Sequence, residues 1–146
     1  MNKLATRRLL LVCIPLFWSS IYIYNGYLSV YAEEHVSSLS IVGIIVAAYG
    51  LTQLILRIPV GIASDRMRRR KPFVIAGALF GALSCAAFLI APTGPVMMLG
   101  RGLAGMAAAC WVPLSVMLVS TYPSNEITKA TSLATALSAI GMTLSS

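Results

Sequence analysis

The stretch GIASDRMRRRKP at residues 61–72 carries the densest charge of the chain. Five basic residues fall within positions 66–71, and Asp65 comes directly before them. In a soluble protein such a run would indicate a nucleic-acid surface. Here it separates two apolar runs, 41–63 and 73–91, each about long enough to cross a bilayer. The stretch is therefore predicted to be a loop between two membrane-spanning helices, and we expect no nucleic-acid partner.

The composition of the chain is typical of an integral membrane protein. Of its 146 residues, 58% are hydrophobic and 10% are charged, whereas a soluble domain carries about 25% charged residues. Apolar runs of about 20 residues predict an all-α polytopic membrane fold. The connections between the runs are too short for a separate domain, so residues 1–146 are predicted to form one membrane-embedded unit. The predicted helices cover residues 9–31, 41–63, 73–91, 96–120 and, incompletely, 131–146.

The basic residues predict the orientation of these helices, because cytoplasmic loops of membrane proteins carry an excess of Lys and Arg. Nine of the eleven Lys and Arg residues lie in the N-terminal segment, in the 64–72 loop or in the 122–130 loop. The loops on the opposite side contain none. We therefore predict a multi-pass protein of the cell membrane, surrounded by the lipid bilayer, with a cytoplasmic N-terminus.

A stripe of polar residues on the second predicted helix marks candidate functional positions. Gln53, Arg57, Gly61 and Asp65 are spaced four residues apart and therefore lie along one side of a helix. Charged residues inside a span usually face protein or water, so we expect this stripe to face other helices. For Arg57, snorkelling to the lipid headgroups is an equal alternative.

Two other spans contain candidate cavity residues. In the first span, Tyr22 and Asn25 share a predicted helical face and are candidates, with Gln53 and Arg57, for lining a substrate cavity. In the fourth span, Arg101 is followed by a run of small residues, which would let another helix approach closely. Arg101 has two interpretations: a buried charge that lines a polar cavity, or a side chain that snorkels to the outer face.

Two motifs resemble those of the major facilitator superfamily. The pattern Gly61-x-x-x-Asp65-Arg66-x-x-Arg69-Arg70 resembles the signature loop G-x-x-x-D-R-x-G-R-R of that family, with Arg68 at the second glycine. It also lies where the family has it, between helices 2 and 3 on the cytoplasmic side. The pattern Arg101-x-x-x-Gly105, with small residues behind it, is similar to the family's R-x-x-x-G in helix 4.

The resemblance implies a secondary active transporter in which two six-helix halves rock about a central site, giving alternating access. It implies that Arg101 and Gly105 belong to a region associated with proton-coupled antiport. A small-molecule solute and protons are then the expected partners, and efflux by antiport is the favoured direction. The resemblance also implies a latch at the cytoplasmic ends of the two halves, formed by Gly61, Asp65, Arg66, Arg69 and Arg70.

Two alternatives stay open: a small four-helix homo-oligomeric exporter and a non-transporting membrane subunit. Such exporters typically carry an acid in helix 1, which this chain lacks. The spans contain no His/Glu metal set and no Ser/His pair, so we expect neither an enzyme nor a cofactor or metal. Since residues 131–146 reach about 24 Å, short of the roughly 30 Å hydrocarbon core, we expect an incomplete, inactive fragment that lacks the C-terminal remainder of the transporter.

Overall fold

The structure of the protein is a computed structural model that describes residues 3–146. These residues fold into helices joined by short turns, which confirms the predicted all-α polytopic fold. A 3-10 turn at Ser124–Glu126 precedes the last helix. The helices are α1 (Lys3–Tyr22), α2 (Leu28–His35), α3 (Leu39–Arg66), α4 (Lys71–Ile90), α5 (Gly94–Ala109), α6 (Trp111–Val119) and α7 (Ile127–Ser145).

Four stretches among the described residues are long and apolar enough to cross a membrane. The shortest have 20 residues, which corresponds to about 30 Å at a rise of about 1.5 Å per residue. Several helices begin or end a few residues outside the apolar runs, because polar residues at the ends of a run continue the helix. The four stretches are Lys3–Tyr22, Leu39–Arg66, Lys71–Ile90 and Gly94–Val119.

The first predicted helix is interrupted in the structure. A single helix over residues 9–31 was expected, but α1 ends at Tyr22 and α2 begins at Leu28. The N–H of Asn25 donates a 2.9 Å hydrogen bond to the carbonyl of Tyr22, as in a turn. Asn25 is followed by Gly26, and both residue types favour turns over helix interiors. The prediction of one continuous helix is therefore wrong at this turn.

The fourth predicted helix bends at Cys110, where α5 and α6 meet. Pro113 has no N–H, so the carbonyl of Ala109 loses the hydrogen bond that a continuous helix would supply. The N–H of Cys110 turns back to the carbonyl of Ala107 at 3.0 Å. The predicted helix over residues 96–120 is thus two helical pieces that together cross the membrane.

Close helix contacts hold α5 in the centre of the bundle, between α3 and α4. A Cβ atom on Gly105 would lie 2.5 Å from the carbonyl oxygen of Tyr49, so α3 and α5 touch through their backbones. A Cβ atom on Gly77 of α4 would lie 2.7 Å from the Cβ of Cys110. The close approach predicted from the small residues of the fourth span is therefore confirmed, and its partner is α3.

Helix α7 packs mainly against α1. Gly141 lies directly against the backbone of Pro15, and Ser19 Oγ donates a 3.0 Å hydrogen bond to the carbonyl of Gly141. The helix begins at Ile127, four residues before the predicted start at Thr131. The order of helices across the bundle is therefore α3, then α5 and α6, then α4, α1 and α7.

Candidate functional site

The loop between α3 and α4 is a tight turn of four residues, Met67 to Arg70. The N–H of Met67 donates to the carbonyl of Ala63 at 3.0 Å, and the N–H of Arg68 donates to the carbonyl of Asp65 at 3.2 Å. Arg68 has a φ angle of 49°, in the left-handed region that glycine adopts most easily. The turn therefore has the conformation that the family's glycine would favour, although an arginine occupies the position.

Replacing Arg68 with glycine is expected to stabilise the chain by about 1 kcal/mol, because the left-handed conformation is costly for residues that carry a Cβ atom. Thermal unfolding of the purified chain in detergent measures the change. Arg69→Gly is the matched control, since Arg69 lies in the same loop and has no positive φ. Equal effects of the two substitutions would contradict the assignment of strain to Arg68.

The predicted latch residues are gathered in and beside this turn, but they are loosely paired. Arg70 Nη2 lies 3.2 Å from Asp65 Oδ1, and 69% of the Asp65 side chain is exposed. Arg66 and Arg69 are also exposed, and within residues 3–146 neither joins an ion pair. An exposed ion pair contributes about 0–1 kcal/mol. The Asp65 carboxylate is thus accessible to another partner.

Gly61 lies one helical turn before Asp65 and faces α6. A Cβ atom at Gly61 would lie 3.6 Å from Val112 Cγ1, which is an ordinary contact distance. The packing within residues 3–146 therefore leaves room for a methyl group at this position. A helix that packs against Gly61 more closely than α6 does would have to lie outside residues 3–146.

Arg101 lies inside the membrane-spanning part of α5 and is buried. Its side chain is 4% exposed, and it lies seven residues, or about 10 Å, from the start of the helix. The guanidinium carbon is 4.7 Å from the ring centroid of Tyr49 and 5.9 Å from that of Tyr24. Cation–π attraction to these two rings replaces part of the lost hydration. Burial of this extent argues against snorkelling to the outer face, while the role of Arg101 in lining a polar cavity stays a prediction.

A hydrogen-bonded pair fixes the position of the Tyr24 ring. The hydroxyl groups of Tyr24 and Ser84 lie 2.7 Å apart, and Ser84 Oγ donates to the carbonyl of Gly100 at 2.7 Å. Because Ser84 is fully buried, this contact ties the turn after α1 to α4 and α5. We refer to Arg101, Tyr24, Tyr49 and Ser84 as the Arg101 site.

The positive charge of the Arg101 site is unbalanced within the described chain. The Nε atom of Arg101 is shielded from solvent and has no hydrogen-bond partner in residues 3–146. No acid of these residues forms an ion pair with it. A buried charge usually pairs or faces a polar cavity. The site is therefore suited to attract a carboxylate or another anionic group.

The predicted cavity residues of the first span do not share a face in the structure. Tyr22 is half-buried, with its ring centroid 5.9 Å from that of Trp18, and lies close to Tyr49. Asn25 is exposed in the turn after α1. The expectation of a common face is wrong because the helix ends at Tyr22, before Asn25 completes the next turn.

The polar stripe of α3 is divided between two environments. Gln53 is half-buried, and its backbone N–H lies 3.1 Å from the Cβ position of Gly105. Arg57 is exposed, so the expectation that the whole stripe packs against other helices is wrong for Arg57 among the helices described. Gly105 itself contacts α3 and therefore acts in helix packing beside Arg101.

Sequence reasoning missed three members of the Arg101 site: Tyr24, Tyr49 and Ser84. They lie in the turn after α1, in α3 and in α4, so no spacing within one helix connects them. The available signal was a hydroxyl-bearing side chain within an apolar span, which applies to both Tyr49 and Ser84. That signal marks single positions and does not indicate that they meet.

Comparison with known proteins gives two matches. The family model of the Major Facilitator Superfamily matches residues 10–146. Over 95 residues the chain is 37% identical to the inner membrane transport protein YajR of Escherichia coli strain K12. This alignment covers 64% of the chain and 20% of the relative, so the chain spans about a fifth of that protein's length. No solved structure matches the chain.

Proposed function

Because the chain belongs to the major facilitator superfamily, we propose that its spans form part of a secondary active transporter that moves a small solute by alternating access. The observation that carries this proposal is the buried, unbalanced guanidinium of Arg101 within a membrane span. Such a charge is expensive to bury, and it marks a pathway for a solute or a proton. If this position served only for helix packing, an apolar side chain would fill it without the free-energy cost of removing a charge from water.

We further propose that transport is proton-coupled, with efflux by antiport as the direction. A buried guanidinium stabilises the ionised form of an acid that approaches it and so promotes release of a proton. In the proposed cycle the acid lies on a helix outside residues 3–146 and meets Arg101 in one of the two access states. Because the chain covers 20% of its relative, the full cycle is proposed for this chain together with further helices of the transporter.

The proposed latch fits the geometry of the α3–α4 turn. Asp65 lies at the last turn of α3, exposed, with one weak partner in Arg70. A second half of the transporter would offer cationic or helix N-terminal groups to this carboxylate in the outward-facing state. The orientation proposed here, with the N-terminus and the α3–α4 turn in the cytoplasm of the cell, places this latch on the cytoplasmic side.

The substitution Asp65→Asn tests the latch. It removes the charge and keeps the volume, so we expect the transport rate of the assembled transporter to fall about tenfold, the value of one charged hydrogen bond. Inverted membrane vesicles with a fluorescent pH probe, screened with a panel of small solutes, measure the rate. Reporters fused after Arg68 and after His35 check that the chain still inserts with these sites on opposite sides.

Glu126→Gln provides the matched control for this experiment. Glu126 precedes α7, on the same side of the membrane as Asp65, and lies outside the signature loop. Like Asp65→Asn, the substitution Glu126→Gln removes one negative charge from this side of the membrane. An equal loss of transport in both variants, or normal transport by Asp65→Asn, would refute the latch.

A further inference from the structure

A basic cavity of about 540 Å³ lies where the α3–α4 turn meets α6. Its walls combine a cluster of cationic side chains with two apolar ones, Pro72 and Met117. Because the turn joins two membrane-spanning helices, the cavity lies at the level of the lipid headgroups. The cationic side chains that line it belong to four consecutive residues, Arg68, Arg69, Arg70 and Lys71.

Little of the positive charge around this cavity is neutralised by the chain itself. Among the described residues, the ion pair between Arg70 and Asp65 is the one salt bridge present. Even in Arg70, the Nε atom is shielded from solvent and lacks a hydrogen-bond partner. Arg68, Arg69 and Lys71 have no acidic partner in this part of the chain. The cavity therefore presents three uncompensated cations and one unsatisfied donor.

The backbone beside the cavity adds further donors. Helix α4 begins at Lys71, and Arg70, which precedes it, makes no side-chain hydrogen bond to the first turn. In that turn Pro72 has no N–H, the N–H groups of Lys71 and Phe73 receive no side-chain cap from Arg70, and the positive end of the helix dipole lies at the same place. Guanidinium groups pair with phosphate oxygens through two parallel hydrogen bonds. The combination favours an anion with several acceptor oxygens.

We propose that this cavity binds a phosphate group, and that the group belongs to the headgroup of an anionic phospholipid. Membrane topology alone would not explain this cavity. Topology depends on how many Lys and Arg residues a cytoplasmic loop contains and does not require them to surround a cavity. An open basic cavity bordered by the apolar side chains of Pro72 and Met117 is better suited to a phosphate that is attached to a glycerol and acyl chains. Basic cavities between membrane helices at this depth bind lipid headgroups in other proteins.

The test titrates phosphatidylglycerol into the purified 146-residue chain in neutral detergent micelles and counts bound lipid by native mass spectrometry. We expect one retained lipid, and a roughly tenfold weaker affinity in R69Q/K71Q, since each Lys or Arg near anionic lipid contributes measurably. The matched control is R8Q/K129Q, which removes two exposed charges from the same side of the membrane but outside the cavity. R69K/K71R, which keeps both charges, should retain the lipid.

Equal weakening in the two double variants would show general attraction and would overturn the proposal, as would equal retention in both. The thermal unfolding midpoint of each variant verifies that the fold persists, which is expected because Arg69 and Lys71 are exposed. A parallel titration with inorganic phosphate separates the two sources of the ligand. If millimolar phosphate displaces the lipid in the unmodified chain, the phosphate site stands and a soluble phosphate compound becomes its ligand.

Discussion

Alanine in place of Gly105 is expected to destabilise the helix bundle by about 2 kcal/mol, within the range measured for overpacked interiors. The added Cβ atom would lie 2.5 Å from the carbonyl oxygen of Tyr49 and 3.1 Å from the backbone nitrogen of Gln53. Both are backbone atoms of α3, which a rotamer change does not move. The two helices must therefore separate, and their separation weakens the packing that holds Tyr49 over Arg101.

Gly102→Ala is the matched control for this prediction. Gly102 lies three residues earlier on the same helix, and a Cβ atom there would lie 3.6 Å from Thr52 Oγ1, an ordinary contact. Alanine is also the better helix former, so Gly102→Ala should be neutral or slightly stabilising. Denaturation of the purified chain in mixed micelles compares the two variants. Equal stability of Gly105→Ala and Gly102→Ala would contradict the close contact between α3 and α5.

The close contact at Gly105 also shows which features of the fold could be predicted from the sequence. Apolar runs of sufficient length predicted the spans, and the small residues after Arg101 predicted that a helix would pack closely there. Both depend on local composition, since a span requires length and a close approach requires the absence of side-chain bulk. That α3 is the helix that packs there depends on the arrangement of the whole bundle.

The break after α1 was missed for a different physical reason. Averaged hydropathy over residues 9–31 stays high, because the polar Asn25 and the nearly neutral Gly26 are two positions among many apolar ones. Backbone preference, which hydropathy does not measure, ends the helix at this pair. The Asn-Gly pair is itself a turn signal, so this break could have been predicted from the sequence. Because the break was missed, Asn25 was predicted to lie on the same helical face as Tyr22, and this prediction was wrong.

The environment of Arg101 could not be predicted in the same way. The sequence left burial and snorkelling open, because both are compatible with an arginine about a quarter of the way along a span. The choice depends on Tyr24, Tyr49 and Ser84, which come from three separate segments and meet only in the folded bundle. A single hydroxyl-bearing residue inside an apolar run is therefore a weak signal of a polar site. Several such residues indicate the site only once the folded structure shows that they are close together.

Lysine in place of Arg101 is expected to abolish most proton-driven transport while leaving the fold intact. The guanidinium group is planar, stacks on aromatic rings and is weakly hydrated, whereas the ammonium group is compact and strongly hydrated. At 4% exposure, with the Tyr49 ring 4.7 Å away, lysine loses more hydration and gains a poorer contact. Lysine also cannot form the two parallel hydrogen bonds that a guanidinium makes with an approaching carboxylate, and losing one charged hydrogen bond of about 2 kcal/mol corresponds to roughly a thirtyfold lower rate.

Arg8→Lys makes the same chemical change at an exposed position near the start of α1, and it should transport within about twofold of the unmodified protein, as expected for a surface substitution. Two assays in vesicles of the assembled transporter distinguish coupling from packing. One drives solute movement with a pH gradient, and the other follows exchange of solute at equal pH on both sides. If Arg101 couples protons, Arg101→Lys fails in the first assay and keeps exchange in the second. If Arg101 only packs against Tyr24 and Tyr49, both activities fall together with the unfolding temperature, and the proposed coupling role is refuted.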